Sequence, residues 1–172
     1  AQNGPRAVTL QTVNGQYVVA VGGGGGAVNA TASIVGVGTT FTLIDLNGGT
    51  RTITVNDGNG NLTAALIDAT LSGGIVSGTG TGALTKNGGG TLNLTAAGTY
   101  TGQTFVNGGV LVLNHANALP GGVATAGGTS NLRFGDNGIA GLGTFDFTRA
   151  LGTGAHQVQW TRSGGFAALN VD

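Results

Sequence analysis

Cysteine, methionine and glutamate are absent from this 172-residue sequence, lysine occurs once, at Lys86, and there are two prolines. Without cysteine, no disulfide framework can hold a small domain together, so another device must, and continuous backbone ladders supply one. Without glutamate or methionine and with a single lysine, good helix formers are scarce, which leaves strands and turns. With so little proline and no three-residue period, the 37 glycines do not make a collagen. Charge is scarce too: six basic and six acidic residues give a net charge of zero. No basic patch is present, which argues against nucleic acid as a partner. A chain with so little self-repulsion either carries its charge elsewhere in a longer parent or is built to associate. No apolar run is long enough to cross a bilayer as a helix, and the strands lack the ten-residue alternation of an outer-membrane barrel. The sequence opens at Ala1 without methionine or an apolar leader, as expected of a processed secreted chain or a piece of a longer one.

What is present is a rhythm of short strands and glycine corners, densest over residues 82–113. Apolar residues alternate along Thr91–Thr95, Thr104–Asn107 and Val110–Leu113, so one set faces a core and the other does not. Between these runs lie Asn87-Gly88-Gly89-Gly90 and Asn107-Gly108-Gly109, where the chain can corner tightly. Further strands are expected over Ser33–Val37, Thr40–Leu46, Arg51–Asn56, Thr63–Leu71, Ser130–Phe134, Thr144–Thr148, Gln157–Thr161 and Phe166–Val171. The shared faces of Leu132 with Phe134, Phe145 with Phe147 and Val158 with Trp160 predict a short internal aromatic column. The one place for a helical turn is Asn114–Pro120. Spacings of about 12 to 20 residues suit two or three strands per coil and roughly seven to nine coils, a rod on the order of 40 Å long. The expected fold is therefore all-β: a right-handed parallel β-solenoid, the hand following the usual rule for parallel crossovers.

Residues 7–21 read differently. Asn14-Gly15 between two strand-like flanks predicts a β-hairpin with a two-residue turn. The expected organisation is an N-terminal hairpin or arm over 1–26, ending in the five glycines Gly22–Gly26, followed by a solenoid domain over 27–172. A phosphate-cradling role for those glycines is disfavoured because no helix pattern follows them.

The 82–113 segment resembles the autotransporter-associated β-strand repeat, also called the passenger-associated transport repeat. The residues that carry the resemblance are Leu84, Lys86, Gly88, Gly90-Thr91-Leu92 with Leu94, Thr99-Tyr100-Thr101-Gly102, Thr104 with Val106, Gly109, Leu111 and Leu113. The resemblance implies a parallel β-helix on a secreted or surface protein of Gram-negative-type bacteria. It implies no single activity, because a fold hosts many functions.

Candidate sites are few. Asp57, Asn59, Asn61 and Asp68 place oxygen ligands at the spacing of a calcium loop, but Leu62 stands where such a loop needs glycine and the last acid is the shorter aspartate. A plain Asp-Gly/Asn-Gly turn accounts for the same residues. Asp45, Asp57 and Asp68 lie 12 and 11 residues apart and can approach one another on adjacent coils, as polysaccharide-cleaving carboxylates do. A turn or an exposed strand position is the plainer reading of each, and no nucleophile or paired-histidine motif is present, so no enzymatic activity and no cofactor are expected. Trp160 beside Arg162, and Tyr100 between threonines, are candidate sugar-stacking rings, although a core aromatic is the plainer reading of Trp160.

Open solenoid ends expose unpaired backbone unless capped or joined to another chain. The expected interface is therefore Val8, Leu10, Val13, Tyr17, Val19 and Val21 on the arm, with Leu169 and Val171 in the last strand. The expected function is structural: an extracellular or cell-surface building block joining head to tail with itself, or with neighbouring modules of one parent chain, into a fibre or stalk. The alternatives are a passenger fragment of an autotransporter-like adhesin and, more remotely, a module binding cell-surface or matrix glycans.

Overall fold

The computed structural model describes residues 9–11, 17–19, 28–30, 39–41, 48–57, 67–78, 80–122 and 129–169, the first four segments as backbone. β1 (Thr9–Gln11) and β2 (Tyr17–Val19) pair antiparallel as the hairpin expected from Asn14-Gly15. Leu10 stands opposite Val18, however, whereas a two-residue loop at Asn14-Gly15 would set it opposite Val19.

Twelve further strands follow in pairs: β3 (Val28–Ala30) and β4 (Thr39–Phe41), β5 (Thr50–Val55) and β6 (Ala69–Leu71), β7 (Ala83–Asn87) and β8 (Thr91–Leu94), β9 (Thr104–Val106) and β10 (Val110–Leu113), β11 (Leu132–Phe134) and β12 (Gly138–Leu142), and β13 (Val158–Trp160) and β14 (Gly164–Ala168). The first member of each pair belongs to one six-stranded sheet, in the order β3-β5-β7-β9-β11-β13, and the second to another, in the order β4-β6-β8-β10-β12-β14. Every neighbour within these two sheets is parallel. The molecule is thus an all-β stack of parallel coils, a β-solenoid arrangement, with two strands per coil.

Six strands per sheet among the described residues is fewer than the seven to nine expected, and at about 4.8 Å per strand the stack is roughly 29 Å long. The step from Thr91 to its partner Val110 is 19 residues, but that from Thr50 to Ala83 is 33, because loops are inserted between strands. A third side of the coils is built from such loops, stacked by backbone bonds: Thr99 N–H donates to Ile75 C=O at 2.8 Å, and Gly98 N–H to Asn117 C=O at 2.8 Å.

Alternation and register together make the core. In one sheet, Ile53, Lys86, Val106, Phe134 and Trp160 occupy successive levels of one column. In the other, Ala69, Leu92, Leu111, Ala140 and Phe166 do the same. From Leu71 to Phe134 the large side chains of these inner rows are buried. Each buried leucine contributes about 1.5–3 kcal/mol relative to exposure, and stacking identical positions repeats that gain at every coil.

One expected strand differs. Thr144–Thr148 is not a strand: β13 and β14 continue both sheets at that level, so no ladder remains for it to join. Phe145 is accordingly exposed, while Phe147 packs against Phe166. The strand that replaces it, β12, reads as a turn because of its glycines. Its edges lie between β10 and β14, which impose extension, and a Cβ at Gly138 would run into the Val106 carbonyl oxygen. Asn114–Pro120, where a short helical turn is expected, holds a single turn closed by Ala118 N–H to His115 C=O at 2.9 Å.

Candidate functional site

The end of the stack is where the chemistry of the fold is unfinished. β13 and β14 are the last strands of their sheets among the described residues, and the outer edge of β13 is partly covered: Val158 N–H donates to Ala150 C=O and its C=O accepts from Gly152 N–H, both at 2.9 Å. The inner columns stop there as well. Trp160 remains 42% exposed and Phe166 40%, although the residues at the same positions one coil earlier, Phe134 and Ala140, are fully buried. Leu151, bridged in parallel to Val158, is 73% exposed.

These side chains are held, not loose. Trp160 lies 5.2 Å from Phe134 centroid to centroid, and Phe166 meets Phe134 edge-on at 5.1 Å and Phe147 at 4.8 Å. The Trp160 indole N–H donates to Gly164 C=O at 3.0 Å, which fixes the ring across the turn joining β13 to β14. An Arg162–Asp136 ion pair at 3.3 Å stands on the rim in solvent. The result is a half-exposed aromatic platform between the last strand of one sheet, β14, and a β13 edge partly covered by residues 150–152. Such an arrangement can take up another pair of parallel strands by β-augmentation.

Behind this end the interior is tied by buried polar groups. Lys86 occupies a core position in its column, fully buried, and its Nζ donates to the carbonyls of Asn87 (2.8 Å), Gly88 (2.9 Å) and Gly108 (3.1 Å). It pins the glycine corners of two successive coils, which are also linked by Asn107 Nδ2 to Asn87 Oδ1 at 3.2 Å. Burial pulls the Lys86 ammonium down to about 8, against the opposing pull of Asp68. Arg149 works alike, donating to the carbonyls of Pro120, Gly122 and Ser130. Burial lowers its pKa too.

The residues singled out from sequence are scattered. Asp68 Oδ2 accepts from Thr91 N–H at 2.7 Å, tying one coil to the next. Asp57 follows β5, and Asn59, Asn61 and Asp45 lie outside the described residues. Among the described residues no three His or Asp side chains gather as a metal site. Leu10, Tyr17 and Val19 sit in the hairpin at register positions opposite Val18, Gln11 and Thr9, while Val8, Val13, Val21 and Val171 lie outside the described residues. Leu169 is half-buried, its side chain against Gly141.

Tyr100 is a correction. It is fully buried, its hydroxyl 2.6 Å from Thr104 Oγ1, which in turn lies 2.8 Å from Ser130 Oγ. Burial raises its pKa to about 12, with the two hydroxyls and Arg149 opposing. The insertion of the third-side loop beneath Gly98 and Ala118 encloses the ring, and a neighbouring glycine turn does not reveal that. Trp160 reverses the expectation the other way: inward by register, it is exposed only because its column ends. The lysine and arginine cradles were missed, although a lone lysine on the apolar phase of Leu84–Lys86 was a readable signal.

The searches against curated proteins and against solved structures each return no significant match. A family model does match: residues 84–113 correspond to the Passenger-associated-transport-repeat. That span runs from the second residue of β7 to the last of β10, two successive strand pairs with the loop between them, and includes the shortest steps of the stack. Its leucines are the buried inner rows, and its lysine is the buried cation at the glycine corners. The repeat is associated with autotransporter passengers and implies a secreted or surface protein. Residues 84–113 of this chain therefore match the passenger-associated transport repeat, and they fold as two successive strand pairs, β7–β8 and β9–β10, of a parallel β-solenoid arrangement.

Proposed function

We propose that this chain is a structural, non-enzymatic segment of an extracellular or cell-surface protein, which forms a fibre or stalk by stacking β-solenoid ends. The observation that carries this reading is the last coil among the described residues, where β13 and β14 are terminal in their sheets and Trp160 and Phe166 are half exposed. A net charge of zero leaves little long-range repulsion between such ends. Sedimentation velocity at rising protein concentration tests it. Growth into species of increasing length supports end-to-end stacking, and a monomer that persists to high micromolar concentration opposes it.

A second reading, a passenger segment of an autotransporter-like adhesin in which the repeat stiffens a stalk, is favoured by the family match at residues 84–113. The gene separates the two: a membrane-barrel domain encoded downstream supports the passenger, and a short stand-alone reading frame supports the self-assembling fibre.

A further inference from the structure

We infer that the outer face of the sheet holding β7, β9, β11 and β13 binds an acidic polysaccharide, with Arg133, stacked on Phe105, as the carboxylate-binding residue. The site lies on the flank of the stack and is independent of what meets its ends. Register lays it out. Thr85, Phe105, Arg133 and Gln159 are partners on the four successive strands, and each is half-buried. Their neighbours along the strands, Thr104 and Val106 on β9 and Leu132 and Phe134 on β11, are fully buried. Alternation therefore turns the row of Phe105 and Arg133 away from the core.

The guanidinium is held in place. Phe105 lies over Gly135, where a Cβ would meet the ring's Cζ at 2.8 Å and Cε2 at 2.9 Å, so glycine is what leaves the ring this room. Arg133 stacks on that ring, its Cζ 4.5 Å from the centroid. Its Nε donates to Thr161 Oγ1 at 3.2 Å, and that hydroxyl donates in turn to Phe134 C=O at 2.9 Å. The proton of Thr161 is thereby committed, and its lone pair takes the arginine. A guanidinium engaged through Nε and one face binds further acceptors with its two terminal nitrogens, a fork that fits the two oxygens of a carboxylate.

Charge and chemistry choose the partner. Arg133 is the one charged residue at the outward positions of these four strands, and Asp136, at the corner beyond β11, pairs with Arg162 at 3.3 Å. Beside Arg133 lies a bank of fixed amides. Gln103 Nε2 and Gln159 Nε2 both donate to Asn131 Oδ1, at 3.2 and 2.8 Å. Asn131 Nδ2 is bound to the carbonyls of Gly152, Gly154 and Gln157. Amides accept from and donate to hydroxyls, so one cation among them suits a chain of hydroxyl-rich units bearing a carboxylate, a uronate-containing glycan. Nucleic acid carries a charge on every unit and draws on several cations at once, where this face has one.

Calorimetric titration of the whole chain with hexasaccharides of hyaluronan and of alginate tests the site, with cellohexaose as the neutral control and hexaglutamate as the charged one. Saturable binding of either uronate glycan is expected, with no heat from the two controls at the same concentrations. Arg133→Gln should weaken binding at least about tenfold, and Arg133→Lys by nearly as much, because an ammonium keeps the charge and loses the fork. Thr161→Val, which releases Nε and leaves the charge, should weaken it about threefold, and Arg162→Gln should leave it unchanged. Thermal unfolding of each variant reports whether the fold is kept, and the lysine and valine variants carry the test if the glutamine variant unfolds. Failure of both uronate glycans to bind at millimolar concentration overturns the inference. Equal binding of cellohexaose or hexaglutamate, or undiminished binding by folded Arg133→Gln or Arg133→Lys, overturns it as well.

Discussion

Phe134 and Trp160 occupy the same register position on adjacent strands, with ring centroids 5.2 Å apart, yet Phe134 is fully buried and Trp160 is 42% exposed. Nothing in the two local sequences separates them. The difference is that another coil covers Phe134 and none among the described residues covers Trp160. Position in the stack, not residue type, decides which apolar side chain is core and which is contact surface.

Replacing Trp160 by alanine should therefore weaken self-association more than it weakens the fold. A central aromatic anchor is worth about 2 kcal/mol in an interface, which corresponds to a shift of roughly thirtyfold in the concentration at which oligomers form. Sedimentation velocity gives the first quantity and urea unfolding the second. A loss of stability without any change in association would contradict the assignment.

Lys86 and Tyr100 give the fold a dependence on alkaline pH with two limbs. Burial lowers the lysine from 10.5 to about 8, so the cost of holding its charge is fully present below pH 8. Between 8 and 10.5 the unfolded chain keeps a proton that the folded chain has released, and stability rises with pH, by roughly 3 kcal/mol at most. Tyr100 acts oppositely. Its pKa is raised from 10.0 to about 12, so above pH 10 the unfolded phenol ionises first and stability falls. Urea unfolding from pH 7 to 11 should thus show a maximum near pH 10. The rising limb should vanish in Lys86→Met and the falling limb should weaken in Tyr100→Phe.

Because Lys86 is the single lysine and is buried, an amine-reactive reagent should leave its side chain unmodified in the folded protein and label it in urea. Mass spectrometry after proteolysis reads the difference. Rapid labelling under native conditions would show that the glycine corners open independently of the rest of the stack.

Arg149→Met should destabilise by about 3 kcal/mol, since it leaves the Pro120, Gly122 and Ser130 carbonyls without their buried donor. For a chain of this length that is a fall in Tm of roughly 10 °C. A change of a degree or two in a thermal scan would mean that water replaces the guanidinium at that site.

Glycines at one corner should differ sharply. Gly109 has φ of +60°, and a Cβ there would meet the carbonyl oxygens of Gly90 and Gly88, whereas a Cβ on Gly89 meets nothing within 4 Å. Gly109→Ala is expected to cost about 2 kcal/mol or more, and Gly89→Ala to stay within about 0.5 kcal/mol. Equal effects in denaturant titrations would remove the positional argument.

The parallel stack was legible because its cause is local: alternation in Thr91–Leu94 and Val110–Leu113, with Asn-Gly corners between, already defines one coil. What was not legible depends on neighbours in space. β12 is a strand because β10 and β14 flank it, against the preference of its own glycines. The corner before it uses Asp136 and Asn137 at positive φ in place of glycine, which hid its equivalence to Asn107-Gly108-Gly109. Tyr100 is enclosed by a loop whose path no periodicity announces. The terminal platform could not be read at all, since Trp160 and Phe166 follow the same alternation as buried rows and are distinguished only in that no further coil among the described residues covers them.

Cryo-electron microscopy of the purified chain at neutral pH tests the central claim most directly. Continuous filaments with an axial repeat of roughly 29 Å, six strand spacings of about 4.8 Å, are the predicted result. Discrete short rods at every concentration would contradict self-assembly, and the exposed aromatic end would then belong to a contact with a different chain.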